Sequence, residues 1–222
     1  MDEWLSYSLA DFLLFSPEAY WRLFELMNNA LWPLPVLLPA ILLVAAIITV
    51  KAWKYAGWAV GFIVAICWAV VANVFFTSHY AAINWSVPWI TPLVWLQACL
   101  VLVLFPGLRF TTGARYWWLA CGIVALSLAY PIVGLAAGRP LAQSEVAGLA
   151  PDPTALMTLG LLALSSLTWR VFLLSILPVC WLLFSAATLV AMAEPIVWVL
   201  VVCIVMFVLL LLGECLSTLR QR

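Results

Sequence analysis

Residues Arg139–Thr154 read RPLAQSEVAGLAPDPT and form the longest polar connection between the apolar blocks of the chain. The segment contains Glu145 and Asp152, two of the few carboxylates that do not lie near a terminus. Asp152 followed by Pro153 and Thr154 is typical of a helix start, with Asp152 as the N-cap and a proline at the first helical position. We therefore expect this loop, 139–154, to lie over or line the functional site.

On both sides of the loop the composition is that of a membrane protein. Of 222 residues, 68% are hydrophobic and 8% are charged, and the mean hydropathy is +1.20. Soluble domains carry about 25% charged residues. Long apolar runs joined by short polar segments predict an all-α polytopic membrane protein. The N-terminal residues include acids where a secretory signal would have Lys or Arg, so no cleaved signal peptide is expected.

Residues 1–30 are predicted to form interfacial amphipathic helices. Ser16-Pro17-Glu18 is a helix start with a cap, a proline at the first position and an acid in the first turn. In the helix that follows, one face carries Tyr20, Leu23, Phe24 and Met27, and the other carries Glu18, Arg22, Glu25 and Asn29. Such a helix suits the membrane interface. A helix packed on the rim of the bundle is the alternative.

Residues 31–222 are predicted to form a bundle of about seven transmembrane helices. A span needs roughly 20 apolar residues. The apolar blocks are Leu31–Val50, Ala56–Phe76, Val87–Phe105, Tyr116–Leu135, Pro153–Leu167, Val171–Met192 and Pro195–Leu212. The fifth block is short, so a re-entrant half-helix is the alternative to a span. At about 1.5 Å per residue it falls short of a ~30 Å core, and the preceding residues Val146–Asp152 are expected to dip below the outer surface.

The basic residues favour seven spans. Seven of them then fall on one side, namely Lys51, Lys54, Arg109, Arg115, Arg170, Arg220 and Arg222, against Arg22 and Arg139 on the other. If the fifth block turned back, the division would be five to four. The positive-inside rule thus predicts an outer N-terminus and a cytoplasmic C-terminus. Every acid except Glu214 then lies outside, which predicts a negative outer face that attracts cations or a basic partner subunit.

Polar side chains near the outer ends predict an outward-facing pocket for a cation or a small polar solute. His79 is the only histidine, and an unperturbed histidine titrates near physiological pH. The candidate residues are Asn73, Thr77, His79, Tyr80, Asn84, Tyr130, Glu145, Asp152 and Thr154. The alternative is interfacial hydrogen bonding that ties one loop to another.

Absent motifs exclude several classes of protein. The chain has no phosphate loop, nucleotide fingerprint or nucleophile elbow, and one histidine cannot supply bis-histidine haem ligation. The six cysteines lie in or beside spans with no C-x-x-C spacing, and they are interpreted as packing residues. We expect no cofactor and no nucleic-acid partner, and a metal site stays open.

Three segments resemble an uncharacterised bacterial family of polytopic inner-membrane proteins, a domain-of-unknown-function family sometimes tagged as permeases. They are EWLSYSLADFLLFSPEAYWRLFEL at 3–26, HYAAINW at 79–85 and SEVAGLAPDPTALMTLG at 144–160. The resemblance implies a polytopic bacterial membrane protein. It brings no substrate, reaction or catalytic residue.

Three functional hypotheses follow for a protein whose first partner is the lipid bilayer. The first is a small-solute or cation permease with an outer entrance formed by His79, Asn84, Glu145 and Asp152. The second is an accessory or assembly subunit that binds a larger membrane complex through its acidic outer face and amphipathic helix. The third is a membrane enzyme that uses His79 with Asp152 or Glu145 as an acid–base pair.

Overall fold

The computed structural model describes residues 13–110 and 117–220, with side chains up to residue 216. Within these ranges the fold is all-α and contains nine α-helices. They are α1 Pro17–Ala30, α2 Leu34–Val50, α3 Ala56–Val70, α4 Val87–Leu104, α5 Trp117–Leu128, α6 Tyr130–Ala136, α7 Pro151–Ala163, α8 Trp169–Ala191 and α9 Val197–Arg220. The predicted all-α class is confirmed. The first part of the predicted N-terminal helices, residues 1–12, lies outside the described residues.

Four helical segments of the described chain are long and apolar enough to cross a membrane: Ala56–Ala82, Val87–Gly107, Trp169–Ala191 and Val197–Leu216. Two bent pairs raise the number to six if each is one span. These are α1 with α2, bent by 86°, and α5 with α6, bent by 61°. The helices indicate a membrane protein, and the predicted number of about seven spans is not confirmed.

Helix α1 packs flat on the bundle. Ser16 caps it as predicted, because its Oγ accepts a hydrogen bond from the backbone N–H of Ala19 at 3.2 Å. The apolar face predicted for this helix is buried, and Phe24 stacks on Phe75 with the ring centroids 5.5 Å apart. The face therefore contacts protein rather than lipid, as in the rim-packed alternative. We refer to α1, Pro17–Ala30, as the cover helix.

The block predicted as the fourth span is two helices, α5 and α6. The break falls at Ala129, two residues before Pro131. Proline has no N–H to donate and its ring crowds the preceding turn, so the chain bends there. The bend carries Tyr130 into the interior, where it is 1% exposed.

Helix α7 occupies the centre of the bundle, and all thirteen of its residues are buried. It packs against α5, α8, α9, α3 and α2. The backbones of α5 and α7 approach closely, since a Cβ placed at Gly160 would lie 2.7 Å from Val124 Cγ2. Small residues allow this kind of contact between helices in membranes.

The start of α7 differs from the prediction. The N-cap residue is Ala150, Pro151 takes the first position, and Asp152 lies in the first turn instead of capping the helix. Pro151 suits the first position as well as Pro153 does, because the N–H that proline lacks would be unpaired there in any case. Thr154 supports the turn, since its Oγ accepts from the backbone N–H of Gly148 at 2.8 Å.

The two ends of α7 lie at different depths. At its C-terminal end, the N–H of Ser166 donates to the carbonyl of Arg109 at 2.8 Å, and Arg170 donates to the carbonyl of Gly107 at 3.1 Å. At its N-terminal end, residues 144–150 are all buried. The protein therefore encloses this loop, and the predicted descent below the outer surface stays a prediction.

Candidate functional site

Asp152 is the innermost acid of the described chain and is 0% exposed. Trp181 Nε1 donates to its Oδ1 at 2.7 Å, while Ser185 Oγ and the Tyr130 hydroxyl donate to Oδ2 at 2.6 Å and 3.4 Å. Trp181 and Ser185 are four residues apart on α8 and so share one helix face. These three hydrogen bonds favour the charged form of the carboxyl group, which its burial opposes.

Glu145 lies in the buried loop before α7 and is 3% exposed. The Tyr20 hydroxyl donates to its Oε1 at 3.3 Å. Its Oε2 is buried and has no hydrogen-bond partner in the described part of the chain. Burial raises the pKa of Glu145 well above its usual range, and the charge of Asp152 raises it further, while Arg139 lowers it. The environment of Glu145 therefore favours the neutral form of the carboxyl group.

Tyr130 connects the two acids. Its hydroxyl donates to Asp152 and also favours the charged form of Glu145. The phenol is fully enclosed, because the bend between α5 and α6 turns it toward the start of α7. Glu145, Tyr130 and Asp152 thus form one buried polar cluster. We refer to Glu145 and Asp152 as the acid pair.

The cover helix closes this cluster from one side. Trp21 Nε1 donates to Glu194 Oε1 at 2.8 Å, and the Arg139 guanidinium lies 3.5 Å from the centroid of the Trp21 ring. Arg139 NH1 is 4.0 Å from Glu194 Oε2. Asn28 donates to the carbonyls of Ala142 and Ser144 at 2.9 Å and 2.8 Å. The helix is therefore tied to the loop and to the end of α8 by side chains.

The other predicted site residues divide into three groups. Thr154 lies beside the acid pair and supports the loop, donating to the carbonyl of Ala150 at 2.6 Å. Tyr80 and Asn84 are buried and bonded to one another, with Asn84 Nδ2 donating to the Tyr80 hydroxyl at 2.9 Å. Asn73, Thr77 and His79 lie apart from the carboxyl groups on the exposed or half-exposed side of their helix.

A π-helical stretch, Val71–His79, contains Asn73, Thr77 and His79. Thr77 Oγ donates to the carbonyl of Ala72 at 2.9 Å, and His79 Nδ1 lies 2.8 Å from the carbonyl of Val74. Both contacts span five residues, which is the spacing of a π-helix. Thr77 and His79 thus bond to the backbone of their own helix. Among the described residues, no hydrogen bond joins them to the carboxyl groups of Glu145 and Asp152.

Sequence reasoning missed Tyr20, Trp181 and Ser185 as partners of the acids. Trp181 carried a usable signal, because an indole N–H in the middle of an apolar helix needs an acceptor. An acid is the strongest acceptor available inside such a bundle. Tyr20 and Ser185 gave no comparable signal, since both also suit a packed helix face.

Two surface cavities approach the acid pair without reaching it. One, of about 230 Å³, is lined by Phe15, Tyr80, Asn84, Phe184 and Thr188 among others. The second, of about 170 Å³, is a groove whose lining includes Trp68, Phe76, Trp181 and Phe184. Tyr80 and Trp181 stand between these cavities and Asp152. Among the described residues no group of three or more His, Cys, Asp or Glu side chains could hold a metal ion.

A family model described as a family of unknown function, DUF6064, matches residues 17–222. The chain belongs to this family, as the resemblance of the three sequence segments implied. Comparison with curated proteins and comparison with solved structures each give no match.

Proposed function

We propose that this member of the DUF6064 family is a small-cation permease whose binding site is the pair Glu145 and Asp152. The observation that carries the proposal is that both carboxyl groups are buried in one hydrogen-bonded cluster inside a membrane protein. Ionisable groups in such a place are costly, and they commonly mark an ion path or a proton relay. The N-terminus of α7 adds a positive dipole end that favours an anion at Asp152.

We propose a bacterial inner membrane as the location, with seven crossings, the N-terminus outside and the C-terminus in the cytoplasm. The hydrogen bonds of Arg109 and Arg170 support this topology, since they gather basic residues at one end of the bundle. Helix α7, the fifth block in chain order, brings the number of crossings from six to seven. Its thirteen residues extend about 20 Å, and the buried loop 144–150 covers the rest of the depth.

Access to the site requires movement of a side chain or of the cover helix. From the outer end, the cavity beside Tyr80 is separated from Asp152 by that phenol. Besides its buried apolar face, the cover helix is held by polar contacts, among them Trp21 with Glu194 and Asn28 with the loop. Polar contacts of this kind exchange with water at low cost, which suits a part that opens.

A second candidate function is that of an accessory subunit of a membrane complex. A groove of about 350 Å³ on the outer side of the cover helix supports it, with Arg22, Leu26 and His79 in its lining. Leu26 is 55% exposed there. Co-purification in mild detergent tests this candidate. A stoichiometric partner that is lost on Leu26→Ser would support it, and a chain that migrates alone would oppose it.

The permease is tested in liposomes that contain the purified protein. The influx of Na⁺, K⁺ and methylammonium is measured for the wild type, for Asp152→Asn, and for Glu18→Gln as an exposed control. We expect flux of at least one cation, a fall of about tenfold or more in Asp152→Asn, and no change in Glu18→Gln. Asp152→Glu, which keeps the charge, should recover part of the flux. Flux no greater than that of empty liposomes for all three cations would refute the proposal.

A further inference from the structure

Asp152 and Glu145 differ in the number of hydrogen-bond donors that surround them. Asp152 has one close donor on each oxygen, Trp181 Nε1 on Oδ1 at 2.7 Å and Ser185 Oγ on Oδ2 at 2.6 Å, and Tyr130 adds a longer contact to Oδ2 at 3.4 Å. The indole N–H of Trp181 can only donate, so a proton on Oδ1 would place two hydrogens against each other. The 2.6 Å distance from Ser185 Oγ falls in the range of a hydroxyl bonded to a charged carboxylate. The environment of Asp152 therefore fits an anion.

Glu145 has the opposite environment. Its hydrogen bond from Tyr20 is 3.3 Å long, beyond the usual range for two oxygens, and Tyr130 is a further, weaker neighbour. Oε2 has no partner among the described residues. A buried carboxylate with so few donors is costly, whereas a neutral carboxyl group is tolerated. The environment of Glu145 therefore fits an acid that keeps its proton on Oε2.

The charged and titratable groups facing Glu145 come from four parts of the chain. They are Tyr20 of the cover helix, Tyr130 of α6, Arg139 of the connection after α6, and Asp152 of α7. Arg139 is close to Glu194 as well, and these two opposite charges balance. With Glu145 neutral, the acid pair carries one negative charge.

We infer that the acid pair exchanges one monovalent cation for one proton, with Asp152 as the standing anion and Glu145 as the proton donor. When the cation arrives at Asp152, the proton on Oε2 of Glu145 leaves to water, and both carboxylates then hold the cation. When a proton returns to Glu145, the cation is released. The site with its contents keeps a charge of minus one in both states, so neither state buries an additional charge.

The inference rests on the proposed permease function, and its test distinguishes the failure of each. Liposomes containing the protein and an internal pH indicator receive an inward gradient of Na⁺, K⁺ or methylammonium, each in a separate assay. For the wild type we expect alkalinisation of a proton-loaded interior that matches cation uptake one to one. Glu145→Gln should lose the proton movement. Cation flux without proton movement in the wild type would overturn the exchange and leave the permease standing.

Infrared spectroscopy tests the division of roles even if no cation is transported. At neutral pH the wild type should show the carbonyl band of a buried protonated carboxyl group. Glu145→Gln should remove the band, while Asp152→Asn and the exposed control Glu18→Gln should keep it. Glutamine has the shape of the neutral acid, so Glu145→Gln should fold normally. A band that disappears in Asp152→Asn, or that persists in Glu145→Gln, would overturn the assignment.

Discussion

Nε1 of Trp181 lies 2.7 Å from Oδ1 of Asp152, and the same side chain lines a surface groove of about 170 Å³. The Phe76 ring meets the indole edge to face, with the centroids 5.0 Å apart. A fully buried carboxylate is thus one side chain away from the surface of the bundle. The indole both stabilises the charge and separates it from the membrane.

Trp181→Phe should weaken the anion at Asp152. The change removes one of three donors, and a hydrogen bond to a charged group contributes about 1.5–3 kcal/mol. Because the lost bond favours the charged form, the pKa of Asp152 should rise, and cation flux should need a higher pH. The flux is measured against pH, together with the thermal unfolding midpoint in detergent. Trp198→Phe, a change at a residue 68% exposed, is the control and should alter neither quantity.

Asp152→Asn should lower the thermal unfolding midpoint of the protein in detergent. Asparagine has one acceptor oxygen in place of two, so it cannot accept from all three donors, and a donor left unpaired in the interior costs about 1–3 kcal/mol. The midpoint is compared with those of the wild type and of the exposed control Glu18→Gln. A midpoint equal to that of the wild type would mean that the three donors do not stabilise the fold.

Gly148→Ala should destabilise the protein more than Gly138→Ala. Both glycines have positive φ, +93° and +86°, so each substitution costs about 1–2 kcal/mol from the left-handed backbone conformation. A Cβ at Gly148 would also lie 2.9 Å from Leu38 Cβ, whereas one at Gly138 would meet nothing within 4 Å. The difference between the two unfolding midpoints measures how closely the loop at Gly148 packs against Leu38 of α2. Equal midpoints would mean that the loop can move away from α2.

The proposed topology predicts which introduced cysteines an impermeant thiol reagent labels in intact cells. Leu141→Cys, at a residue 59% exposed, should react from outside, and Trp53→Cys, at a residue 51% exposed, should react only after lysis. Ala147→Cys should stay protected in both cases, because Ala147 is buried. The native exposed thiols Cys99, Cys180 and Cys215 are first changed to serine. The reverse pattern of labelling would invert the topology.

Local features were predictable from the sequence. The Ser16 cap and the apolar face of α1 depend on neighbours within a turn or two, and both are found as expected. The short length of α7 was also predictable, because it follows from the number of consecutive apolar residues in the sequence. The bend at Pro131 was harder to predict from the sequence. Proline in a membrane helix either kinks the helix or ends it, and tertiary packing decides between the two.

The candidate site was predictable only in part. Tyr130, Glu145 and Asp152 were three of nine candidate residues, and the structure places these three in one cluster. Their complete enclosure by protein was not predictable, because it depends on the cover helix, which folds over a loop more than a hundred residues later in the chain. His79 was misleading as a lone titratable group, since its carbonyl partner is supplied by an irregular helix that sequence patterns do not reveal.

Helix α7 has a consequence for how the protein is made. All thirteen of its residues are covered by other helices, and α8 and α9, which supply much of that cover, are synthesised after it. Until they arrive, Asp152 lacks the two donors on α8 and is a costly group to leave in lipid. Helix α7 therefore becomes fully buried only after α8 and α9 have been synthesised and have packed against it. A chain that is truncated before α8 would be a substrate for membrane quality control.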